Sequence, residues 1–115
     1  MSGSAVKALN HVAIGVRDLE ASLRFYTEGL GMRKTLEMPV SDNVWRLLRL
    51  PENTTGTSVF VQGDQRAGQL ELVTWDLPES VEGHKRPGDI GAFQLSFPVD
   101  PEHIGPLHER LVTAP

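Results

Sequence analysis

The stretch that decides the fold is residues 9–32, which read LNHVAIGVRDLEASLRFYTEGLGM. Residues 9–16 alternate with the period of two that is typical of a β-strand, placing branched apolar side chains on one face and His11 on the other. Asp18 follows at the position of a helix N-cap. Apolar residues then recur at the spacing of a helix face: Leu19, Leu23, Tyr26 and Leu30. The stretch therefore predicts a strand and then an amphipathic helix of about three turns.

Further strands are predicted beyond this helix. Runs rich in β-branched and apolar residues occupy 33–38, 44–50, 57–62 and 69–75, and loops rich in Pro, Gly, Asn and Asp separate them. The order is a strand, a helix and then three or four strands, a βαβββ module that we assign to residues 1–76. The predicted fold class is α+β, with a sheet that is mainly antiparallel.

The composition changes between residues 77 and 91, where prolines, glycines and charged residues mix, and we interpret this segment as a linker. Residues 92–99 alternate again and predict another strand. The start of the helix that follows is ambiguous. Asp100 and Pro101 have the character of a cap and a first-turn proline, but a helix begun there would contain Pro106 at a cost of about 3 kcal/mol. We therefore predict that this helix begins at Pro106.

The two strand-helix pairs look like copies of one module. When Gln94 is laid over His11, residues 94–99 match the strand pattern of residues 11–16, and each copy leads into a helix. Residues 92–115 then form a partial second module, because its last three strands lie beyond the sequence. A partial module leaves a sheet edge and an apolar helix face uncovered, so we expect a homodimer in which a second chain covers them.

Composition narrows the function classes. The 115 residues correspond to one domain. The formal net charge of −4 gives no field that attracts polyanions, so we expect no nucleic-acid partner. The absence of cysteine excludes disulfides, thiolate catalysis and zinc–thiolate sites. Because residues 1–5 lack the apolar core of a signal peptide and no apolar run reaches about 18 residues, we expect a soluble cytoplasmic protein without membrane contact.

Residues 9–32 resemble the opening of the vicinal oxygen chelate superfamily, which includes glyoxalase I, methylmalonyl-CoA epimerase, extradiol dioxygenases and bleomycin-resistance proteins. Residues 69–73, QLELV, and 91–97, GAFQLSF, are similar to later strands of the same superfamily. The resemblance implies paired βαβββ modules whose curved sheets form a cup, and in many of the enzymes a divalent metal ion lies in that cup. This architecture agrees with the repeat, which rests on the residues alone.

The resemblance also implies a set of metal ligands. In the metal-dependent members the ligands come from the first and last strands of each module, which points here to His11, Glu71 and Gln94. The fourth position lies beyond this sequence, and the third usually carries histidine, so Gln94 is a departure. Glu71 is also the expected catalytic proton shuttle. Imidazole and carboxylate suit a divalent Fe, Mn, Ni, Co or Zn ion, and an amide oxygen adds a weaker ligand.

The residues themselves leave two interpretations of these three side chains open. Strand alternation turns His11, Glu71 and Gln94 away from the main apolar layer, as a site in the cup requires. The same pattern is typical of a hydrogen-bonded histidine, a cross-strand-paired carboxylate and an amide on a solvated sheet face.

Three functions follow from the sequence. The first is a metal-dependent lyase, isomerase or ring-cleaving oxygenase, in which the ion chelates adjacent oxygen atoms of a small substrate. The second is a metal-free protein of the bleomycin-resistance kind, which binds a small ligand in the cup between two chains. The third is an inactive, truncated homologue. The substrate itself is not encoded in the fold, because the superfamily shares one architecture among many chemistries.

Overall fold

The computed structural model describes residues 5–41, 43–77 and 94–113. The chain divides into two compact units, residues 1–77 and 78–115. The first unit holds four strands and two helices in the order β1 (His11–Gly15), α1 (Leu19–Arg24, extended by a π-helical turn over Phe25–Gly29), β2 (Arg33–Val40), α2 (Val44–Leu48), β3 (Gly56–Gln62) and β4 (Gln69–Trp75). The second unit holds α3 (Pro101–Thr113). Most of the predicted linker, 77–91, lies outside the described residues.

The strand and helix predicted from residues 9–32 are confirmed. Asp18 caps α1, since its side chain accepts a hydrogen bond from the backbone N–H of Ala21 at 3.0 Å. The helical segment ends at Gly29, and two residues later Gly31 has a φ of 78°, a left-handed value that glycine adopts without a steric penalty. The predicted cap therefore fixes the start of the element, and a left-handed glycine follows its end.

The four strands form one open sheet in the order β1-β4-β3-β2. Strands β2, β3 and β4 pair antiparallel, whereas β1 lies parallel to β4, so the predicted α+β class and the antiparallel character of the sheet are confirmed. One face of the sheet is covered by the α1 segment. Its core is Val61, Leu70 and Leu72, against which the apolar residues of β1 and of the helix pack: Val12, Ile14, Val16, Leu19, Leu23, Tyr26 and Met32.

The strand predicted over 44–50 is wrong, because Val44–Leu48 forms the short helix α2. The flanking residues Asn43 and Arg49 have φ values of 69° and 59°, left-handed conformations that interrupt an extended chain. The backbone N–H of Leu50 then bonds to the carbonyl oxygen of Trp45 at 2.8 Å, which closes the last turn. A short apolar run does not distinguish a strand from a helix, so local turn conformations decided the outcome.

Two further predictions, both for the second unit, are wrong. Residues 94–100 are irregular and not a strand. A strand needs a hydrogen-bonded neighbour, and Pro98 removes one of the donors that such pairing uses. The helix begins at Pro101 and contains Pro106, contrary to the predicted start at Pro106. Because Gly105 precedes Pro106, the proline ring meets no Cβ on the preceding residue, which reduces the usual clash.

None of the helices in the described parts of the chain has both the length and the apolar character needed to cross a membrane.

Candidate functional site

The candidate site lies on the sheet face opposite α1, which we call the open face. Side chains alternate along each strand, so the residues between the core positions project from this side. The pairing Phe60↔Glu71 across β3 and β4 and the pairing Ala13↔Glu71 across β1 and β4 bring three strands together here. The open face carries His11, Ser58, Phe60, Gln69 and Glu71.

The structure brings two of the predicted site residues together. His11 Nε2 lies 3.6 Å from Glu71 Oε1, although the two residues are far apart in sequence. The side chain of His11 is 42 % exposed and that of Glu71 is 17 % exposed. The parallel register explains the contact, because His11 pairs with Gln69 and its ring reaches the next side chain on the same face of β4.

Two neighbours orient the imidazole of His11. Its Nδ1 lies 2.7 Å from the Oδ1 of Asn10, and because a carbonyl oxygen only accepts, Nδ1 donates this hydrogen bond. The ring of Phe60 lies edge-on to the imidazole, with centroids 5.3 Å apart and planes at 70°. In the neutral ring, the bond to Asn10 therefore leaves Nε2 as the acceptor that faces Glu71.

The carboxylate of Glu71 is held from the opposite side. Its Oε2 accepts a hydrogen bond of 2.6 Å from the hydroxyl of Ser58, on the interior strand β3. Ser58 is fully buried, with 0 % exposure. The two oxygens of Glu71 therefore have different surroundings: Oε2 is occupied by Ser58, and Oε1 faces His11.

The donor set and spacing of this pair fit a divalent cation. An imidazole nitrogen without hydrogen and a carboxylate oxygen are both acceptors, so a cation, either a proton or a metal ion, is needed between them. Bonds of about 2.0–2.2 Å from a transition ion to nitrogen and oxygen allow two of its ligand atoms to lie up to about 4.3 Å apart. The 3.6 Å between Nε2 and Oε1 is within that limit. A metal-ligating histidine commonly donates its other N–H to a carbonyl group, as His11 does to Asn10.

Gln94, the third predicted ligand, belongs to the second unit. It lies in the irregular segment 94–100 and is exposed. The same unit brings Asp100, Glu102 and His103 together, with ligand atoms within 4.8 Å of one another. All three are exposed, and acidic groups commonly cluster at the solvated start of a helix without an ion. Gln94 as a ligand stays a prediction.

Apolar side chains lie beside the pair on the open face. The register continues from Glu71 through Phe60 to Leu36 on β2, and Met38 pairs with Ser58 in the next row. Leu36 is 48 % exposed and Met38 39 %. The bulge between Lys34 and Leu36 also allows the hydroxyl of Thr35 to donate to Gln69 Oε1 at 3.1 Å. The His11–Glu71 pair therefore adjoins a strip of exposed apolar surface.

A separate hollow of about 280 Å³ lies at the connection between β2 and β3. It is lined by Ser41, Asn43, Trp45, Asn53, Thr54 and Thr55. It shares no residue with the His11–Glu71 pair. Trp45 lies in the run predicted as a strand and the other five lining residues lie in the two predicted loops that flank it, so no sequence pattern indicated that they line one hollow.

Comparison with known proteins assigns the family. The family sequence model of the Glyoxalase/Bleomycin resistance protein/Dioxygenase superfamily matches residues 8–97 of this chain. The chain belongs to this superfamily. A comparison of this sequence with curated proteins found no match.

Two solved structures are similar to it. A glyoxalase family protein from Bacillus cereus is 19 % identical, with a TM-score of 0.74 over 97 % of this chain and 74 % of its own. An integron cassette protein from the mobile metagenome of the Halifax Harbour sewage outfall is 28 % identical, with a TM-score of 0.53 over 93 % of this chain and 70 % of its own. These matches confirm the predicted α+β fold with its mainly antiparallel sheet.

Proposed function

We propose that this superfamily member is a metal-dependent enzyme in which His11 and Glu71 bind a divalent transition ion on the open face. The observation that carries the proposal is the 3.6 Å approach of His11 Nε2 to Glu71 Oε1, with the opposite side of each group held by Asn10 and Ser58. When bound, such an ion polarises adjacent oxygen atoms of a small substrate.

The chain's own residues have three tasks in this proposal. Asn10 fixes the ring of His11 so that Nε2 points toward Glu71, and Ser58 fixes the carboxylate of Glu71. Glu71 is also the proton shuttle in this proposal, which requires that its Oε1, the oxygen not bonded to Ser58, is not bound to the ion while it carries the proton. Leu36, Phe60 and Met38 contact the carbon skeleton of the substrate and exclude water. The reaction is that of a lyase, an isomerase or a ring-cleaving oxygenase.

A homodimer completes the cup in this proposal. Three large apolar side chains of the second unit, Leu95, Phe97 and Val99, are exposed, as is expected of a surface that a second chain covers. Gln94 precedes them and is the candidate third ligand. A monomer at micromolar concentration, measured by light scattering, would contradict this part of the proposal.

A metal-free binding protein of the bleomycin-resistance kind is the second candidate function. The exposed strip of Leu36 and Met38 favours it, because apolar area next to a few polar groups is typical of small-ligand sites. His11 and Glu71 then form an ion pair that contacts the ligand. An inactive homologue would bind neither metal nor ligand.

The metal content per chain tests the main proposal. Protein purified without a tag or chelator is incubated with Ni, Co, Mn, Fe or Zn, dialysed and measured by elemental mass spectrometry. We expect about one ion per chain, or one per dimer, for the unchanged protein, and none for His11→Ala, because the imidazole is one of the few ligands of the site.

His108→Ala is the matched control, because His108 is an exposed histidine on α3, outside the pair. It should keep the metal content of the unchanged protein. If the unchanged protein binds none of the five ions, the enzyme proposal is wrong and ligand-binding assays decide between the remaining functions. If His11→Ala binds as much metal as the unchanged protein, His11 is not a ligand.

A further inference from the structure

The two oxygens of the Glu71 carboxylate are unequal. Oε2 accepts the 2.6 Å hydrogen bond from Ser58, whereas Oε1 lies 3.6 Å from His11 Nε2. A short hydrogen bond from a hydroxyl to a carboxylate is stronger than one between neutral groups. A cation that joins His11 to Glu71 therefore meets one free oxygen and one that is already bound.

The donor of this bond is held firmly. Ser58 lies in the middle of β3, with β2 on one side and β4 on the other, and pairs with Met38 and Val73. Its side chain is fully buried, so water does not compete for the hydroxyl. A buried hydroxyl requires an acceptor, and the carboxylate of Glu71 provides it. Both strand pairings thus fix the direction from which the hydroxyl reaches Oε2.

We propose that Ser58 is a positioning residue that restricts Glu71 to binding a metal ion through Oε1 alone. This inference rests on the proposed function. A carboxylate that binds through both oxygens occupies two coordination positions, whereas one that binds through a single oxygen leaves a position open. A substrate with two adjacent oxygens needs two open positions, so Ser58 preserves the space in which such a substrate binds.

Ser58 also influences which metal ion is preferred. Large ions such as Ca²⁺ readily accept both oxygens of a carboxylate at longer distances, whereas small transition ions bind one oxygen at about 2.0–2.2 Å. With Oε2 engaged by Ser58, the site favours the small ion. Removal of the hydroxyl frees Oε2 and should reduce that preference.

The test compares Co²⁺ binding by the unchanged protein, Ser58→Ala and Ser58→Thr, measured by calorimetry. We expect Ser58→Ala to bind Co²⁺ about 10- to 100-fold more weakly, the usual effect of removing a group that orients a ligand. Ser58→Thr keeps the hydroxyl and should restore most of the affinity. Thr57→Ala is the matched control, because Thr57 lies on the same strand and faces the other side of the sheet, and it should leave the affinity unchanged.

Infrared difference spectra give a readout that general destabilisation would not alter. The separation of the two carboxylate stretches is wider when one oxygen binds a metal than when both do, and the band of Glu71 is the one missing in Glu71→Gln. We expect the wide separation in the Co²⁺-loaded unchanged protein and a narrower one in Ser58→Ala. If Ser58→Ala does not fold, the spectrum of the unchanged protein decides, since a narrow separation there overturns the inference.

The possible failures can be told apart. If the unchanged protein binds neither Co²⁺ nor any of the other four ions, the proposed function fails. If it binds Co²⁺ while Ser58→Ala binds equally tightly, or shows the same carboxylate spectrum, the role of Ser58 is wrong and the proposed metal site stands.

Discussion

The two faces of the sheet are built from the same strands but meet opposite demands. On the face toward α1, Val61, Leu70 and Leu72 are almost fully buried and pack against the helix. On the open face, His11 and Glu71 occupy positions that alternate with apolar core residues along β1 and β4, and they lie beside exposed apolar side chains. Because side chains alternate along a strand, one segment such as 69–75 can supply the core and the site together. The packed face therefore holds the apolar core cluster, and the open face carries the polar groups that are available for chemistry.

The largest expected loss of stability comes from a substitution on the packed face, the face toward α1. Leu72 is fully buried, so Leu72→Ala removes apolar contacts and leaves a cavity in the core. We expect the free energy of unfolding to fall by about 2–5 kcal/mol, measured by urea denaturation. A loss below about 1 kcal/mol would mean that the face toward α1 does not form the core of the first unit.

A substitution beside the His11–Glu71 pair is expected to have a smaller effect, which lowers metal affinity and leaves stability unchanged. Asn10→Ala removes the acceptor that orients His11 but changes no core contact, since both residues are exposed. We expect metal affinity to fall about tenfold, with the unfolding free energy unchanged within about 0.5 kcal/mol. Calorimetry with Co²⁺ and urea denaturation measure the two quantities on the same sample. A loss of stability without a loss of affinity would place Asn10 in the scaffold.

The smallest effect is expected from the apolar strip of the open face. Leu36→Ser replaces a leucine of the same chemical type as Leu72, but at a position that is 48 % exposed. We expect the unfolding free energy of the isolated chain to change by no more than about 0.5 kcal/mol. A much larger loss, dependent on protein concentration, would show that a second chain covers this strip.

Local patterns predicted most of the first unit. The N-cap Asp18 and the helix stripe after it lie close together in sequence, so the structure of this element follows from neighbouring residues. The strand 69–75 is observed as predicted. The errors at 44–50, at 94–99 within the predicted strand 92–99, and at the start of α3 share one cause. Each depended on turn conformations or on strand pairing, which a hydrophobic pattern does not encode.

The candidate site was predicted only in part. His11 and Glu71 were identified from the resemblance and from strand alternation, and the structure brings them to 3.6 Å. Asn10 and Ser58, which orient them by hydrogen bonds, were not identified, and neither was the edge-on contact of Phe60 with His11. The alternation of Ser58 and Phe60 along β3 already placed them on one face. Only the register between β3 and β4 could show that this is the face of Glu71.

The sequence by itself determined the superfamily, the order of strands and helix in the first unit, and the polar character of the open face, because these depend on local periodicity and a specific motif. The tertiary structure decided the parallel pairing of β1 with β4, the helix at 44–48 and the contacts of Glu71 with His11 and Ser58. The physical reason is that a shift of one residue in strand pairing would turn every side chain to the opposite face. Only the packing of the complete core selects the pairing that is observed.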